Sequence, residues 1–208
     1  MTHLYAFGSI IRGEVDEYSD IDLLAIKNEY DSNFSVDKFS IYSEKRLKEL
    51  WKTGNPFAWH LHFESVQLYS SDGRDPIKEY GAPSIYKNGE EDCLKFYLLF
   101  KDAYNSLTRL TNSACFELSA IFLSIRNFAT CFTLHTERKT VFSRSSAIMI
   151  GKNSAPISKK FFDICLRARI LSTRGNGNPI SQSELTYAMQ ELTDVEKWMI
   201  ELLEKVKS

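Results

Sequence analysis

Two aspartates near the N-terminus, Asp20 and Asp22, are separated by one residue at the start of an apolar run. Residues two apart in a strand face the same side, so we expect the two carboxylates to project together, with Ile21 and Leu23 facing the other way into a core. Neighbouring carboxylates repel each other unless a cation lies between them. Oxygen ligands suit Mg²⁺, which completes its shell with water and nucleotide phosphates. The pair therefore predicts a magnesium site.

A Gly-Ser pair, Gly8 and Ser9, ends the preceding apolar run, and a polar loop is expected to follow it. Glycine lets the backbone approach a phosphate closely, and the hydroxyl and amide of a serine can donate hydrogen bonds to it. Together with the aspartates, this pair supplies the parts of a metal-dependent nucleotidyl-transfer site. The alternative interpretation is a surface turn followed by a strand whose aspartates are merely solvated.

The same segment resembles the DNA polymerase β-like nucleotidyltransferase superfamily. Its small members, the minimal and kanamycin-type nucleotidyltransferases, carry Gly-Ser, two residues, Arg-Gly, five residues and then Ser-Asp-x-Asp. Seven positions match this pattern at the expected spacing: Gly8, Ser9, Arg12, Gly13, Ser19, Asp20 and Asp22. The resemblance implies one or two Mg²⁺ ions on the two aspartates, and it implies nucleotide-binding roles for Gly8, Ser9, Arg12 and Ser19.

The activity implied by this resemblance is the transfer of a nucleoside monophosphate from a nucleoside triphosphate, above all ATP, with release of pyrophosphate. The acceptor is a hydroxyl on a protein, an RNA or a small molecule, in a toxin–antitoxin, defence or resistance setting. Arg12 is either a ligand of the triphosphate or a solvated loop arginine, because arginine suits phosphate and is also common on surfaces.

A third carboxylate usually stands on a neighbouring strand in active members, and here the sequence departs from the family. Ser40 occupies the expected place in the third predicted strand, and Asp37 precedes that strand. Elimination leaves Glu64 as the candidate catalytic base. Glu64 would share a face with His60 in a helix or with His62 in a strand. The alternative interpretations are a polar edge without chemistry and a degenerate nucleotidyltransferase that serves as a nucleotide sensor or protein-interaction module.

The fold class predicted from these patterns is α+β. Short strands and helices alternate in the first half of the chain, and apolar residues at helical spacing dominate the second. The resemblance makes the first part, residues 1–85, a small mixed-sheet nucleotidyltransferase domain, followed by a helical bundle over residues 90–208. The stretch 75–88, which contains prolines and a glycine, marks the boundary. Residues 143–150 are predicted to form a short helix.

The helical half is similar in outline to the HEPN bundles that accompany minimal nucleotidyltransferases. HEPN domains with ribonuclease activity carry an arginine followed, after four to six residues, by a histidine. Arg126 has no histidine at that distance, and His135 falls too late. We therefore expect no ribonuclease activity, and we expect the helical part to mediate a homodimer or to bind a partner protein.

Composition is typical of a water-soluble globular chain, with 43% hydrophobic and 25% charged residues. The formal net charge of −1 gives no global reason to expect nucleic-acid binding. Four widely spaced cysteines without a Cys-x-x-Cys pair favour reduced thiols in a cytoplasmic protein. No leader is evident at Met1, and charged and polar residues interrupt the apolar stretch 116–134, so we predict a buried helix there and no membrane association.

Overall fold

A computed structural model describes residues 1–15, 21–27, 34–109 and 114–207. The chain divides into two compact units, Met1–Lys87 and Asn88–Ser208. The first unit combines a sheet with helices and the second is helical, which confirms the predicted α+β class. Two residues of the predicted site, Ser19 and Asp20, lie outside the described residues.

Four strands form the sheet of the first unit: β1 (Thr2–Phe7), β2 (Asp22–Lys27), β3 (Phe39–Tyr42) and β4 (Ser65–Ser70). They lie side by side in the order β3-β2-β1-β4. β1 is antiparallel to both β2 and β4, whereas β2 and β3 are parallel, so the sheet is mixed.

The helices of this unit are α1 (Ser9–Arg12), α2 (Glu44–Thr53), α3 (Pro56–Glu64) and α4 (Pro76–Tyr80). α2 and α3 begin at caps that the sequence supplies, because the side chains of Ser43 and Asn55 accept hydrogen bonds from backbone N–H groups of the first turn. α4 lies inside the stretch that contains prolines and a glycine, so that stretch carries structure of its own.

One face of the sheet packs against α2 and α3. The buried core there comprises Tyr5, Phe7, Leu24, Ile26, Leu47, Leu50, Trp51, Ala58, Leu61 and Ile77. Asp22 shares this face because it stands two residues before Leu24 in the same strand. The prediction that Ile21 faces a core is wrong, since its side chain is 59% exposed. Alternation predicts two faces but does not say which of them the helices cover.

The second unit contains the four long helices α5 (Gly89–Thr108), α6 (Ala114–Thr136), α7 (Lys159–Arg174) and α8 (Gln182–Val206). Among its described residues there is no strand. α7 begins after Ser158, whose hydroxyl accepts from the Phe161 N–H. α8 begins with a complete capping box between Ser181 and Glu184.

The predicted helix over residues 143–150 is wrong. The chain instead forms two short 3₁₀ turns, Ser146–Ile148 and Gly151–Asn153. Their hydrogen bonds span three residues, as from the Ile148 N–H to the Ser145 carbonyl. The Ser146 hydroxyl donates to the carbonyl of Arg126 on α6, so this segment is held by a tertiary contact that its local sequence does not show.

Helix α6 is long and apolar enough to cross a membrane by length and composition, and it is the one such helix in the described part of the chain. However, 61% of its most apolar window is buried inside the structure. It contacts α5, α7 and α8, and such burial is what the core helix of a bundle requires.

Candidate functional site

Three segments of the first unit meet where β1 ends. Gly8 directly follows β1, Asp22 opens β2 and Glu64 directly precedes β4. Phe7 pairs with Asp22 on one side and with Ser65 on the other, so Gly8 emerges between the neighbouring strands. The Gly8 N–H donates to the carbonyl oxygen of Glu64 at 3.1 Å. The fold therefore brings together Gly8, Asp22 and Glu64, which the sequence had assigned to one site.

A glycine is needed at position 8 for two reasons, namely its backbone conformation and the proximity of Asp22. Its φ of 75° and ψ of −139° belong to a region that residues with a side chain rarely adopt. A Cβ at this position would lie 2.6 Å from Oδ2 of Asp22, closer than atoms can approach. The absence of a side chain keeps space beside an exposed carboxylate, which is a donor that suits a hard cation. The carboxylate of Asp22 is thus chemically suited to a magnesium ion, and its role as a metal ligand remains a prediction.

The polar loop expected after Gly8 begins as the four-residue helix α1, which Ser9 opens and Arg12 closes. The first N–H groups of any helix have no partner within it. Gly13 ends this turn in the left-handed conformation, and its N–H bonds back to the carbonyl of Ile10. Ser9 therefore presents its backbone at the first turn, directly beside Gly8.

Arg12 is not the solvated loop arginine that the sequence left open. Its side chain is only 16% exposed. Its Nε donates to Oε2 of Glu14 at 2.9 Å, and its Nη1 donates to Oε2 of Glu64. Two carboxylates therefore flank one guanidinium. The role of Arg12 toward a triphosphate remains a prediction.

Glu64 is buried at 8% exposure, at the last position of α3. Its Oε2 lies 3.1 Å from Nε2 of His60, one helical turn earlier, so the helical alternative for this segment is correct. His60 in turn packs its ring edge-on against Phe7, with 5.4 Å between the ring centroids. His62 points elsewhere, toward Trp59, and burial lowers its pKa.

The strand beside β2 supplies no third carboxylate. Ser40 pairs with Leu24, so it lies on the same face of the sheet as Asp22. Asp37 is exposed ahead of that strand, where it accepts a hydrogen bond from Ser35. Among the described residues, which exclude Asp20, no three His, Cys, Asp or Glu side chains are grouped to hold a metal ion.

The contact that the sequence did not reveal is the ion pair between Arg12 and Glu64. The two residues are 52 positions apart, and nothing in either local pattern links them. The helical pairing of Glu64 with His60 was available from their spacing. The pairing of Glu64 with Arg12 was not available from the sequence, because it depends on β4 lying beside β1.

Comparison with known proteins bears on the first unit. The family model of the nucleotidyltransferase domain matches residues 2–92, a little under half of the chain. This match confirms the resemblance that the sequence predicted for the first unit, and it supports the prediction of a nucleotidyltransferase enzyme.

One solved structure similar to the whole chain is that of the spectinomycin adenyltransferase AAD(9) from Enterococcus faecialis with ATP and spectinomycin. The two chains are 11% identical and superpose with a TM-score of 0.46, over 94% of this chain and 91% of the other. A search of curated proteins found no match.

Proposed function

We propose that this chain is a magnesium-dependent nucleotidyltransferase. It would move a nucleoside monophosphate from a nucleoside triphosphate, ATP in the first instance, to an acceptor hydroxyl and release pyrophosphate. The observation that carries the proposal is the contact geometry of Gly8 and Asp22 inside a nucleotidyltransferase domain. A backbone without a side chain lies against an exposed carboxylate, which is the arrangement that phosphate and metal need together.

In this proposal Asp20 and Asp22 hold Mg²⁺, while the backbone and hydroxyl of Ser9, with Gly8 giving clearance, hold a phosphate. Bound magnesium would neutralise the charge that develops on the transferred phosphoryl group. The acceptor oxygen forms a bond to the α-phosphorus as the bond from that phosphorus to the pyrophosphate oxygen breaks. The proton of the acceptor hydroxyl passes to a base, and the sequence-based candidate for that base is Glu64.

A second candidate function is a nucleotide sensor that binds without turnover. Two observations favour it. Ser40 places a hydroxyl on the face of β3 where the family has a carboxylate, and the carboxylate of Glu64 is engaged by Arg12 and His60. A site with two metal-binding aspartates and no accessible base would hold nucleotide and leave the acceptor unreacted.

Incubation with α-labelled ATP and Mg²⁺ separates the two candidates. The protein, an RNA fraction and a small-molecule extract are offered in turn as acceptors, and pyrophosphate is measured alongside. Label in any fraction together with pyrophosphate supports transfer. Saturable binding with neither product supports the sensor. Absence of ATP binding would contradict both.

The remaining parts of the proposal concern the acceptor, the biological system, the oligomeric state and the cellular location. The acceptor is a protein, an RNA or a small molecule, within a toxin–antitoxin, defence or resistance system. The helical unit would mediate a homodimer or bind a partner protein, and the chain would act in the cytoplasm. Size-exclusion chromatography with light scattering tests the dimer, since a monomer at micromolar concentration contradicts it.

A further inference from the structure

We propose that Glu64 is a positioning residue that holds the segment of residues 8–12 through Arg12, and that it does not act as the base toward the acceptor hydroxyl. The inference rests on the proposed function, because the segment in question is the proposed phosphate-binding segment. It assigns to the carboxylate of Glu64 a role in nucleotide affinity.

Glu64 holds both ends of this segment. Its carbonyl oxygen accepts the hydrogen bond from the Gly8 N–H at 3.1 Å, and its carboxylate accepts from Nη1 of Arg12. Gly8 stands immediately before α1 and Arg12 is its last residue. One residue therefore fixes where the short helix begins and where it ends, with Ser9 between the two attachments.

The support behind Glu64 is rigid. It terminates α3, a helix capped by the side chain of Asn55 and anchored by Ala58 and Leu61, both fully buried. A side chain mounted on such a helix can hold a neighbouring loop in one place, whereas α1 is too short to hold itself.

The contacts of the carboxylate argue against a base. Oε2 of Glu64 accepts from Arg12 and lies within hydrogen-bond distance of His60. A proton arriving from an acceptor at this oxygen would neutralise the carboxylate and displace one of these contacts, and disrupting a buried ion pair in this way is strongly unfavourable. This geometry favours an ion pair between Arg12 and Glu64 that persists during the reaction.

The test measures the affinity for MgATP by titration calorimetry in Glu64→Gln, Arg12→Ala and the double variant. Each single change should weaken binding by about 10- to 100-fold, the range found when a residue that orients ligand groups is lost. The double variant should be no weaker than the worse single one, because Glu64 is proposed to affect binding through Arg12. Arg12→Lys should bind better than Arg12→Ala, since a lysine can still pair with Glu64 as a point charge.

A matched control is the exposed pair of Arg74 and Glu79 in the same unit, joined at 2.6 Å. Glu79→Gln also removes one carboxylate from an arginine, and its affinity for MgATP should equal that of the parent. Thermal unfolding of every variant is recorded. If Glu64→Gln does not fold, the MgATP affinities of Arg12→Lys and Arg12→Ala are compared instead.

Unchanged affinity in Glu64→Gln together with lost turnover would overturn the inference and support the base. A lower unfolding midpoint with unchanged affinity would overturn it too, since Glu64 would then be merely structural. These failures differ from failure of the proposed function, in which the parent protein itself does not bind MgATP.

Discussion

The two units of this chain bury different kinds of polar side chain. Among the described residues, the buried polar groups of the first unit are His3 and Glu64, both of which can carry charge. Those of the helical unit are all hydroxyls: Ser119, Ser124, Thr130, Thr133, Ser143 and Ser146. A buried charge requires a specific partner, whereas a hydroxyl can be satisfied by almost any nearby carbonyl.

For three hydroxyls on α6 and for Glu64, the partners differ in the same way. In α6 the hydroxyls of Ser124, Thr130 and Thr133 each donate to the carbonyl four residues earlier, so the helix satisfies them by itself. Glu64 finds Arg12 only because the sheet brings together segments 52 residues apart. The specific partner of the buried Glu64 carboxylate is therefore a product of the tertiary structure of the first unit.

Among single substitutions, the largest effect on binding should follow from Gly8→Ala. The added Cβ would meet Oδ2 of Asp22 at 2.6 Å, so either the aspartate or the start of α1 must move. We expect the MgATP affinity to fall by about 100-fold, as when the support of a metal ligand is lost. Gly73→Ala is the matched control, because Gly73 also has a positive φ but has nothing within 4 Å of an added Cβ. Equal MgATP affinities of the two variants in calorimetry would show that Gly8 is not part of the nucleotide-binding site.

The helical unit should respond to mutation in stability and not in binding. Phe128 is fully buried on α6, and Phe128→Ala should lower the free energy of unfolding by about 3–5 kcal/mol. Ser124→Ala in the same helix should lower it by only about 1 kcal/mol, since the lost hydrogen bond is local. Urea unfolding measures both. The comparison of the two units fails if either folded variant binds MgATP more weakly than the parent.

The smallest effect concerns Glu184 in the capping box of α8. Its pKa is lowered from 4.5 to about 2, first because Arg167 bonds to it and then because the Ser181 N–H and hydroxyl do. Since the folded pKa is below the unfolded one, this stabilisation is complete above about pH 4.5 and is lost as the pH falls toward about 2. The pair is partly exposed, so its size should be below about 1 kcal/mol.

Glu184→Gln should therefore flatten the acid side of the stability curve in this window while it leaves neutral stability nearly unchanged. Urea unfolding at pH 3 and pH 7 measures the difference. An equal pH dependence in the variant and the parent would show that Glu184 does not supply this slope.

The sequence predicted what local chemistry determines. Strands and helices were predicted from the spacing of apolar residues, because that spacing reflects the repeat of each local structure. The spacing of Gly8 and Asp22 was informative as well, because it matched the pattern of a family whose domain model matches residues 2–92. These features do not depend on how distant segments pair.

The sequence could not predict what depends on distant pairing. Alternation placed Ile21 and Leu24 on opposite faces but could not say which face the helices cover. Elimination left Glu64 as an acid near the site, yet its engagement by Arg12 follows from β4 lying beside β1. The partners of a carboxylate determine whether it acts as a base or as a positioning residue. Those partners come from distant segments, so the local sequence pattern does not reveal them.

The central claim is that the two aspartates bind magnesium and, with it, a nucleotide. Calorimetric titration of ATP with and without Mg²⁺ into the parent protein and into the double variant Asp20→Asn/Asp22→Asn tests it most directly. We predict binding in the parent only when Mg²⁺ is present and no binding in the double variant. The double variant should stay folded and be as stable as the parent or slightly more so, because two like charges are removed. Unchanged affinity in the double variant would contradict the account, since the carboxylates would then not hold the metal.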